Sequence, residues 1–257
     1  MTSQRHKQPT IKDILHKVIF PDDELIIIHS SLNAFGVPGH QLVPQLMEAF
    51  KHFIADGKTL LFPAFTLSFC STQYFHHTNT PSETGILAEL CRTHLSAERT
   101  PHPIFSFMVT GPLNPVIQQI KVNSAWGKGT IFDFCQQVDA RIVLLGSDWD
   151  QVTQYHLYEQ RAKVPYRHHK RFTGIANYGA GEEKTMCSFY VRTQNQFPLN
   201  TFQPALKLLK SRNAISQLNY LDGMVSSVSE NDFGRAATDI LHNDPWGLTL
   251  NPKKISS

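Results

Sequence analysis

The stretch that decides the fold is residues 139–167, which read DARIVLLGSDWDQVTQYHLYEQRAKVPYR. An apolar, β-branched run from Arg141 closes at Gly146, and this pattern predicts a buried strand that ends in a turn. A helix is expected next, because Asp148 or Asp150 can accept hydrogen bonds from the free N–H groups of its first turn. The stretch therefore predicts a strand, a loop and a helix, in that order.

Three reactive side chains recur along the predicted helix. Thr153, His156 and Glu159 are three residues apart, so at about 100° per residue they lie on one face. An imidazole titrates near neutral pH, and a neighbouring carboxylate can fix its tautomer, so the set suits proton removal. A His and a Glu at this spacing also occur as an ordinary surface pair. Position favours the catalytic interpretation, because open α/β sheets bind ligands just beyond the ends of parallel strands.

The composition indicates an ordinary globular protein. Its 257 residues, 41% of them hydrophobic, can bury an ample core, and the formal charge of +3 is scattered rather than striped. A nucleic-acid partner is therefore not expected. No apolar run approaches the roughly 18 residues that a membrane span needs, and no signal peptide is recognisable. We expect a cytoplasmic protein without membrane association.

Cysteine and histidine spacing argues against a structural metal or a disulfide framework. The four cysteines lie far apart without a CxxC pair and read as buried thiols. A hydrolase with a metal held by Glu159, His156, His168 and His169 is the main rival, but an HxxE spacing lacks the second histidine of HExxH. No metal is expected. The one dense basic cluster, residues 167–171, fits either a solvated loop or an anion-binding rim.

The same strand and helix alternation begins near the N-terminus. A helix is predicted over 11–19, strands at 24–29 and 59–63, and a helix over 41–53 that makes the right-handed crossover between them. Residues 66–79 read as a long loop, and residues 80–83 can cap a helix that leads to Arg92. Further patterns predict strands at 105–110, 174–178, 186–192 and 221–227, and helices at 114–120, 133–138, 202–212 and 233–242. The fold class expected is α/β: a three-layer core of mixed, largely parallel strands flanked by helices, with an antiparallel C-terminal part.

A series of short motifs in fixed order resembles the aminoglycoside 3-N-acetyltransferase family. They are HSSLNAFG (29–36), FPAFT (62–66), TPSETG (80–85), RTPHPIFSF (99–107), GKGT (127–130), TQYHLYE (153–159) and DFGRAATDILHNDP (232–245). The resemblance covers most of residues 25–167 and fades between 170 and 230. It implies an α/β acyltransferase that moves an acetyl group from acetyl-CoA directly to an amine of an amino sugar, as a single domain over 1–257. Residues 1–167 would then form the CoA-binding and catalytic core, and residues 168–257 the acceptor region and C-terminal helix.

The resemblance also assigns roles to individual residues. His156 would be the general base, Glu159 its carboxylate partner and Thr153 a donor to the oxyanion or departing sulfur. The loop after the first strand would follow the pantetheine arm, with helix N-terminal N–H groups suited to its diphosphate. The residues expected to bind CoA are Ser30, Ser31, Leu32, Asn33, Phe35, Gly36, Arg99, His102, Ser106 and Phe107. Those expected to contact the acceptor are Thr80, Ser82, Asp148 and Asp150.

Two features leave the acceptor open. A polycationic aminoglycoside favours a cleft lined by carboxylates, and the chain offers few candidates: Asp148, Asp150, Glu159, Glu182 and Glu183. The basic cluster instead suits a nucleotide-linked or otherwise anionic amino sugar of a biosynthetic pathway. A homologue that binds CoA without turnover is a further alternative. The expected partners are thus CoA and a small amine, with a monomer and a homodimer both open.

Overall fold

Three parallel strands form the centre of the structure, a computed structural model that describes residues 8–193 and 199–250. They are β1 (Leu25–Ser30), β2 (Thr59–Pro63) and β6 (Arg141–Leu145), and β1 pairs with both others, Ile27 lying opposite Leu61 and Ile142. All but the outermost residues of these strands are buried, because apolar side chains cover both faces. The three strands predicted from the apolar runs are confirmed to within one residue.

Antiparallel strands extend this centre on both sides. On the side of β2 lie β5 (Phe107–Thr110) and β4 (Glu98–Arg99), and on the side of β6 lie β10 (Gly223–Ser229) and β9 (Ser216–Tyr220). The seven-stranded order is β4-β5-β2-β1-β6-β10-β9. The mixed α/β class is confirmed, and within this seven-stranded sheet the parallel pairs are those of the three central strands. Strand β9 was not predicted, because its sequence SQLNY is polar at alternate positions and sits at the sheet edge.

Helices cover both faces of the sheet and form the outer layers. One layer packs on Ile26, Ile28, Val143 and Leu145, and the other on Leu25, Ile27, Ile142 and Leu144. The first layer contains α1 (Ile11–Val18), α2 (Gly39–Ala55) and α4 (Leu87–His94). The second contains α5 (Asn114–Ile117), α6 (Ile131–Gln137), α7 (Tyr155–Arg161), α8 (Gln203–Ser211) and α9 (Glu230–Asn243).

A second, smaller sheet stands beside the first. It consists of β3 (Tyr74–His76), β7 (Arg167–Asn177) and β8 (Glu182–Arg192), of which β7 and β8 form a long hairpin. The hairpin was predicted, but the basic run 167–171 belongs to β7 rather than to a loop. The predicted loop 66–79 also contains a short helix, α3 (Phe69–Thr72), together with β3.

The caps predicted for the N-termini of α4 and α7 are wrong. Neither Asp148 nor Asp150 caps α7, which begins after Gln154 without a side-chain cap; a short 3-10 turn, Trp149–Gln151, intervenes. Helix α4 begins at Leu87, beyond the cap predicted at 80–83, because the Ser82 hydroxyl is hydrogen-bonded to Thr84. Within the described residues no helix is both long enough and apolar enough to cross a bilayer.

Glu230, the first residue of α9, gives a prediction about stability. Its side chain is fully buried, Oε1 accepts a hydrogen bond from Tyr158 Oη at 2.9 Å, and burial raises its pKa to about 8. The folded protein therefore retains a proton that the unfolded chain releases above its ordinary pKa, so stability falls as pH rises toward 8. We expect Glu230→Gln to gain stability over wild type, by at least about 1 kcal/mol at pH 8 and less near pH 5. Denaturant unfolding at both pH values checks this, and an equal effect at both would contradict it.

Candidate active site

A cavity of about 810 Å³ opens where the carboxyl ends of β1, β2 and β6 meet. It is bounded by sheet-edge residues below and by the β7–β8 hairpin at the side. Its lining residues are Ile28, His29, Ser30, Ser31, Phe62, Pro63, Phe65, Leu67, Glu83, Thr84, Gly85, Leu87, Ala88, Phe105, Trp126, Gly146, Ser147, Asp148, Gln151, Thr153, His156, Arg167, Phe189, Val191 and Arg192. The position is the one expected for a ligand site in an α/β sheet.

His156 stands on the first turn of α7 and lines this cavity. Its Nδ1 lies 2.5 Å from Oε2 of Glu159, one turn further along the helix. An ionised carboxylate only accepts hydrogen bonds, so Nδ1 carries the proton and the lone pair resides on Nε2. Since Nε2 has no hydrogen-bond partner among the described residues, it is available to a ligand.

Glu159 is completely buried beneath His156, where three groups hydrogen-bond to it and Arg167 forms an ion pair with it. Its Oε1 accepts hydrogen bonds from Tyr166 Oη and Asn200 Nδ2, each at 2.8 Å. Oε2 is shared between His156 and Arg167, whose Nε lies 2.8 Å away. Burial alone would raise the pKa of this carboxyl, but His156, Arg167 and Tyr166 together outweigh it and lower the pKa. Glu159 is therefore an anion at neutral pH.

The surroundings of His156 hold its imidazole in the neutral form. Trp126 and Tyr155 pack against the ring at centroid distances of 4.8 and 4.1 Å, and only 17% of the side chain is exposed. Burial, followed by the nearby Arg167, lowers the pKa of His156 to about 4 even though Glu159 acts in the opposite direction. The ring can therefore accept a proton at any pH near neutrality.

Thr153 lines the same cavity, but not from the helix face that the spacing predicted. It precedes α7, and its backbone carbonyl accepts a hydrogen bond from the N–H of His156 at 3.1 Å. The expectation of three side chains on one helical face was wrong in this respect, because the helix starts two residues later than Thr153. Thr153 nevertheless lines the cavity that His156 also lines.

The loop after β1 divides into cavity residues and packing residues. Ser30 and Ser31 line the cavity, whereas Leu32–Phe35 forms a 3-10 helix in which Asn33 is exposed, Leu32 packs on the core and Phe35 is fully buried. Gly36 has φ +67°, and a Cβ there would collide with the carboxylate of Asp222. Phe35 and Gly36 shape this loop and do not line the cavity.

Arg99, His102, Ser106 and Phe107 do not line this cavity either, and their contact with CoA stays a prediction. Arg99 is buried and donates to Ser106 Oγ at 2.8 Å, to Ala64 O and Thr66 Oγ1 at 2.6 Å and to Thr80 O. His102 accepts the backbone N–H groups of Ile104 and Phe105 through Nδ1, and burial lowers its pKa to about 4. Phe107 packs edge-on between Phe65 and Phe132 in the core. These four residues lie behind the side chains that line the cavity.

Of the four residues predicted to contact the acceptor, one lines the cavity and three do not. Asp148 lines the cavity, whereas Asp150 Oδ1 accepts the backbone N–H of Phe202 at 2.5 Å and lies outside it. Thr80 Oγ1 accepts the N–H of His76 at 2.8 Å, and Ser82 N donates to Glu89. Thr80 and Ser82 are outside the lining, but Glu83, Thr84 and Gly85 of the same motif belong to it.

Several cavity residues were missed from the sequence. His29 is the last fully buried residue of β1 and its Nε2 lies 3.1 Å from Gln154 Oε1; it stands inside the HSS motif, which was the available signal. Arg167 was seen only as part of a basic cluster. Trp126, Phe189 and Val191 come from distant segments, and only the tertiary structure brings them to His156.

A comparison with known proteins agrees with this geometry. Residues 27–242 match the family model described as aminoglycoside 3-N-acetyltransferase. This chain belongs to that family. The resemblance of the motifs is thereby confirmed.

Individual relatives are distant in sequence. The SPbeta prophage-derived aminoglycoside N(3')-acetyltransferase-like protein YokD of Bacillus subtilis (strain 168) is 22% identical over 165 residues, which span 55% of this chain and 60% of that protein. The solved structure of aminoglycoside acetyltransferase AAC(3)-IVa, apoenzyme, has a TM-score of 0.73 at 21% identity and covers 93% of this chain and 89% of its own. AAC-IIIb, solved as a binary complex with CoASH, has a TM-score of 0.75 at 14% identity, covering 91% and 97%. At these identities the structures establish a shared fold.

Substitution of Arg99 tests whether this residue supports the cavity from outside or contacts CoA directly. Replacing it by Met removes the donor to the Thr80 carbonyl and to Thr66 Oγ1 and leaves Ala64 O with Ser106 Oγ as its donor, so we expect a loss of about 2–5 kcal/mol in unfolding free energy. CoA affinity of the folded fraction should stay within about threefold of wild type, a change of about 0.7 kcal/mol. Calorimetric titration with CoA and denaturant unfolding measure the two quantities. A large loss of affinity without a loss of stability would restore Arg99 as a CoA ligand.

Proposed function

We propose that this protein transfers the acetyl group of acetyl-CoA directly to an amine of an amino sugar, with His156 as the general base. The observation that carries the proposal is the neutral imidazole of His156 in the cavity, fixed through Nδ1 by buried Glu159 and presenting Nε2 to a ligand. Acetyl transfer to an amine needs such a base, because the attacking nitrogen must lose a proton as its bond to carbon forms.

In the proposed reaction, His156 both accepts the proton of the amine and returns it to the leaving group. The lone pair of the neutral amine adds to the thioester carbon, and the N–H proton moves to Nε2 of His156. The C–S bond then breaks, and the imidazolium returns the proton to the sulfur, giving the N-acetyl amide and CoA. The Thr153 hydroxyl, which lines the cavity, would donate a hydrogen bond to the oxyanion or to the departing sulfur.

The cavity is suitable for two substrates. A volume of about 810 Å³ is in the upper part of the range for small-molecule sites, which is about 300–1,000 Å³. We assign the sheet-edge side, with Ser30, Ser31 and Ser147, to the pantetheine arm and thioester, because hydroxyl and backbone groups there can pair with its amides. A structural relative was crystallised with CoASH, which supports a CoA site in this fold. Residues 1–167 would then hold the donor, and residues 168–257 would contribute the hairpin wall on the acceptor side.

The acceptor's charge admits a second candidate besides an aminoglycoside. The cavity is lined by two carboxylates, Glu83 and Asp148, and by two guanidinium groups, Arg167 and Arg192. Both oxygens of Glu83 already lie within 3.3 Å of the backbone N of Ser68. Such a lining offers little attraction to a ligand with several ammonium groups.

The hairpin strengthens this second candidate. In the register of β7 and β8, Lys170 lies opposite Phe189 and His168 opposite Val191, so these basic side chains share a face with cavity-lining residues. Both are exposed, and each is paired across the hairpin with a residue that lines the cavity. An amino sugar bearing phosphate or carboxylate, as in a nucleotide-linked sugar, would be held there by charge.

Replacement of His156 tests the chemical step. We expect His156→Ala to reduce kcat at least about 100-fold, because proton removal by a positioned base contributes 10²–10⁴. Steady-state acetyl-CoA turnover with an accepted amine measures it, with thermal melting as a control for folding. His242→Ala, which removes an exposed histidine on α9, should leave kcat within about twofold. An unchanged rate for His156→Ala would remove this residue from the base role, and a wild type that binds CoA without acetylating any amine would support the non-catalytic alternative.

Substitution of Lys170 tests the acceptor class. With an anionic amino sugar as substrate, Lys170→Glu should raise KM at least about tenfold, because an attraction becomes a repulsion. The matched control is Lys184→Glu at the far end of the hairpin, which should change KM less than about twofold. Initial-rate assays against nucleotide-linked amino sugars and kanamycin-type drugs compare the two classes. Efficient drug turnover, improved by Lys170→Glu, would favour the aminoglycoside acceptor instead.

A further inference from the structure

Arg167 shares the buried carboxylate on which His156 depends. Oε2 of Glu159 lies 2.5 Å from His156 Nδ1 and 2.8 Å from Arg167 Nε. Arg167 is itself held in place, because Nη1 donates to Tyr190 O at 3.0 Å and Nη2 donates to Asn200 Oδ1 at 2.9 Å. Asn200 in turn donates to Glu159 Oε1. Arg167 is only 7% exposed, so its charge acts on the pair with little solvent screening.

Charged side chains from three elements act on the imidazole of His156. Glu159 comes from its own helix, Arg167 from β7 and Arg192 from β8, and all three act on the imidazole through charge. Tyr155 and Trp126 contact the ring, and burial raises the pKa of Tyr155, so both are neutral. In the innermost group, Arg167 and Glu159 cancel each other when His156 is neutral.

We propose that Arg167 is a positioning residue that balances the charge of Glu159 and so keeps His156 unprotonated while it awaits the amine. Protonation of His156 in the intact cluster would leave a buried net positive charge, which is costly. Without Arg167, the neutral imidazole would leave the Glu159 anion unbalanced, and protonation would then cancel a buried charge. Removal of Arg167 should therefore favour the protonated form of His156 before the amine binds. This inference rests on the proposed function only in calling His156 the base.

The same balance has a consequence for the second half of the reaction. An imidazolium beside a guanidinium is a stronger acid than one that faces a carboxylate alone, because the two cations repel. Such an imidazolium returns its proton readily to the departing thiolate. A His–Glu pair without Arg167 would accept the proton from the amine and then retain it.

Four forms of the protein should rank in a definite order by the pKa of His156. Arg167→Met should have the highest value, at least about one unit above wild type, since loss of a charge at this distance shifts a pKa by about 1–3 units. The double variant Glu159→Gln/Arg167→Met, which removes both charges, should return to near wild type. Glu159→Gln alone, which leaves the guanidinium unbalanced, should have the lowest value. A role for Arg167 in packing alone would not produce this order.

NMR titration of the histidine ring signals tests the inference without any assay of acetyl transfer. The His156 signal is identified by its absence from His156→Ala, and it is followed from about pH 3 to 9, a range that includes both the pKa of about 4 in wild type and the ordinary histidine value. In wild type we expect a midpoint near 4, and in Arg167→Met a midpoint at least about one pH unit higher. A His156 that titrates identically in both would overturn the proposal. Should Arg167→Met fail to fold, Arg167→Gln, which keeps a donor toward Asn200, takes its place with the same expected direction.

Kinetics give the second readout and separate the two hypotheses. The acid limb of kcat should move to higher pH in Arg167→Met, with the rate recovering at high pH, whereas Arg167→Lys, which keeps the charge, should retain the limb of wild type. Arg171→Met, an exposed arginine on the same strand, is the matched control and should change neither the limb nor the NMR titration. If the predicted order of pKa values holds but His156→Ala stays active, the role of Arg167 is supported and the assignment of His156 as the base fails. If the order fails while His156→Ala is inactive, His156 remains the base and the role proposed for Arg167 is wrong.

Discussion

The interaction on which the site depends is the complete burial of one carboxylate, Glu159. A buried anion is costly unless it is paired and hydrogen-bonded, and this one is satisfied from its own helix by His156, from the segment after it by Tyr166 and Arg167, and from a distant segment by Asn200. These contacts tie α7 to the start of the hairpin and to the segment that leads into α8. The position of His156 is therefore fixed by the same interactions that join α7 to the hairpin of the smaller sheet.

The cavity lies where it does because the central strands end together. β1, β2 and β6 run in parallel, so the segments that follow Ser30, Pro63 and Leu145 emerge at the same edge. At Gly146 the chain turns with φ +72°, and a Cβ there would meet the carbonyl of Ser31 at 2.6 Å. Glycine thus allows the turn after β6 to approach the loop after β1, which brings the two sheet-edge loops to one side of the cavity.

Much of the fold was predictable because its signals are local. Apolar periodicity gave the central strands and most helices, and the His–Glu spacing together with the motif order located His156, Glu159, Ser30 and Ser31. Arg99 could not be placed from sequence, because an arginine near motif residues suggests a phosphate ligand, and only the tertiary structure shows it enclosed by Ala64, Thr66 and Thr80. Phe107 is a similar case, because the motif places it beside the site in sequence, whereas in the structure it packs on Phe65 and Phe132 in the core. The cap predicted at Asp150 failed because another donor occupies its side-chain oxygen: Oδ1 accepts the backbone N–H of Phe202.

In the proposed reaction, the pairing that keeps His156 neutral also bears on the acceptor. Arg167 lines the cavity with its charge balanced by Glu159, so this pair offers no net attraction to an ammonium group. The other charged residues of the lining are Glu83, Asp148 and Arg192, and both oxygens of Glu83 already lie near the backbone N of Ser68. A ligand with several ammonium groups would therefore gain little attraction in this cavity, whereas an acceptor with one amine could place an anionic group beside exposed Lys170.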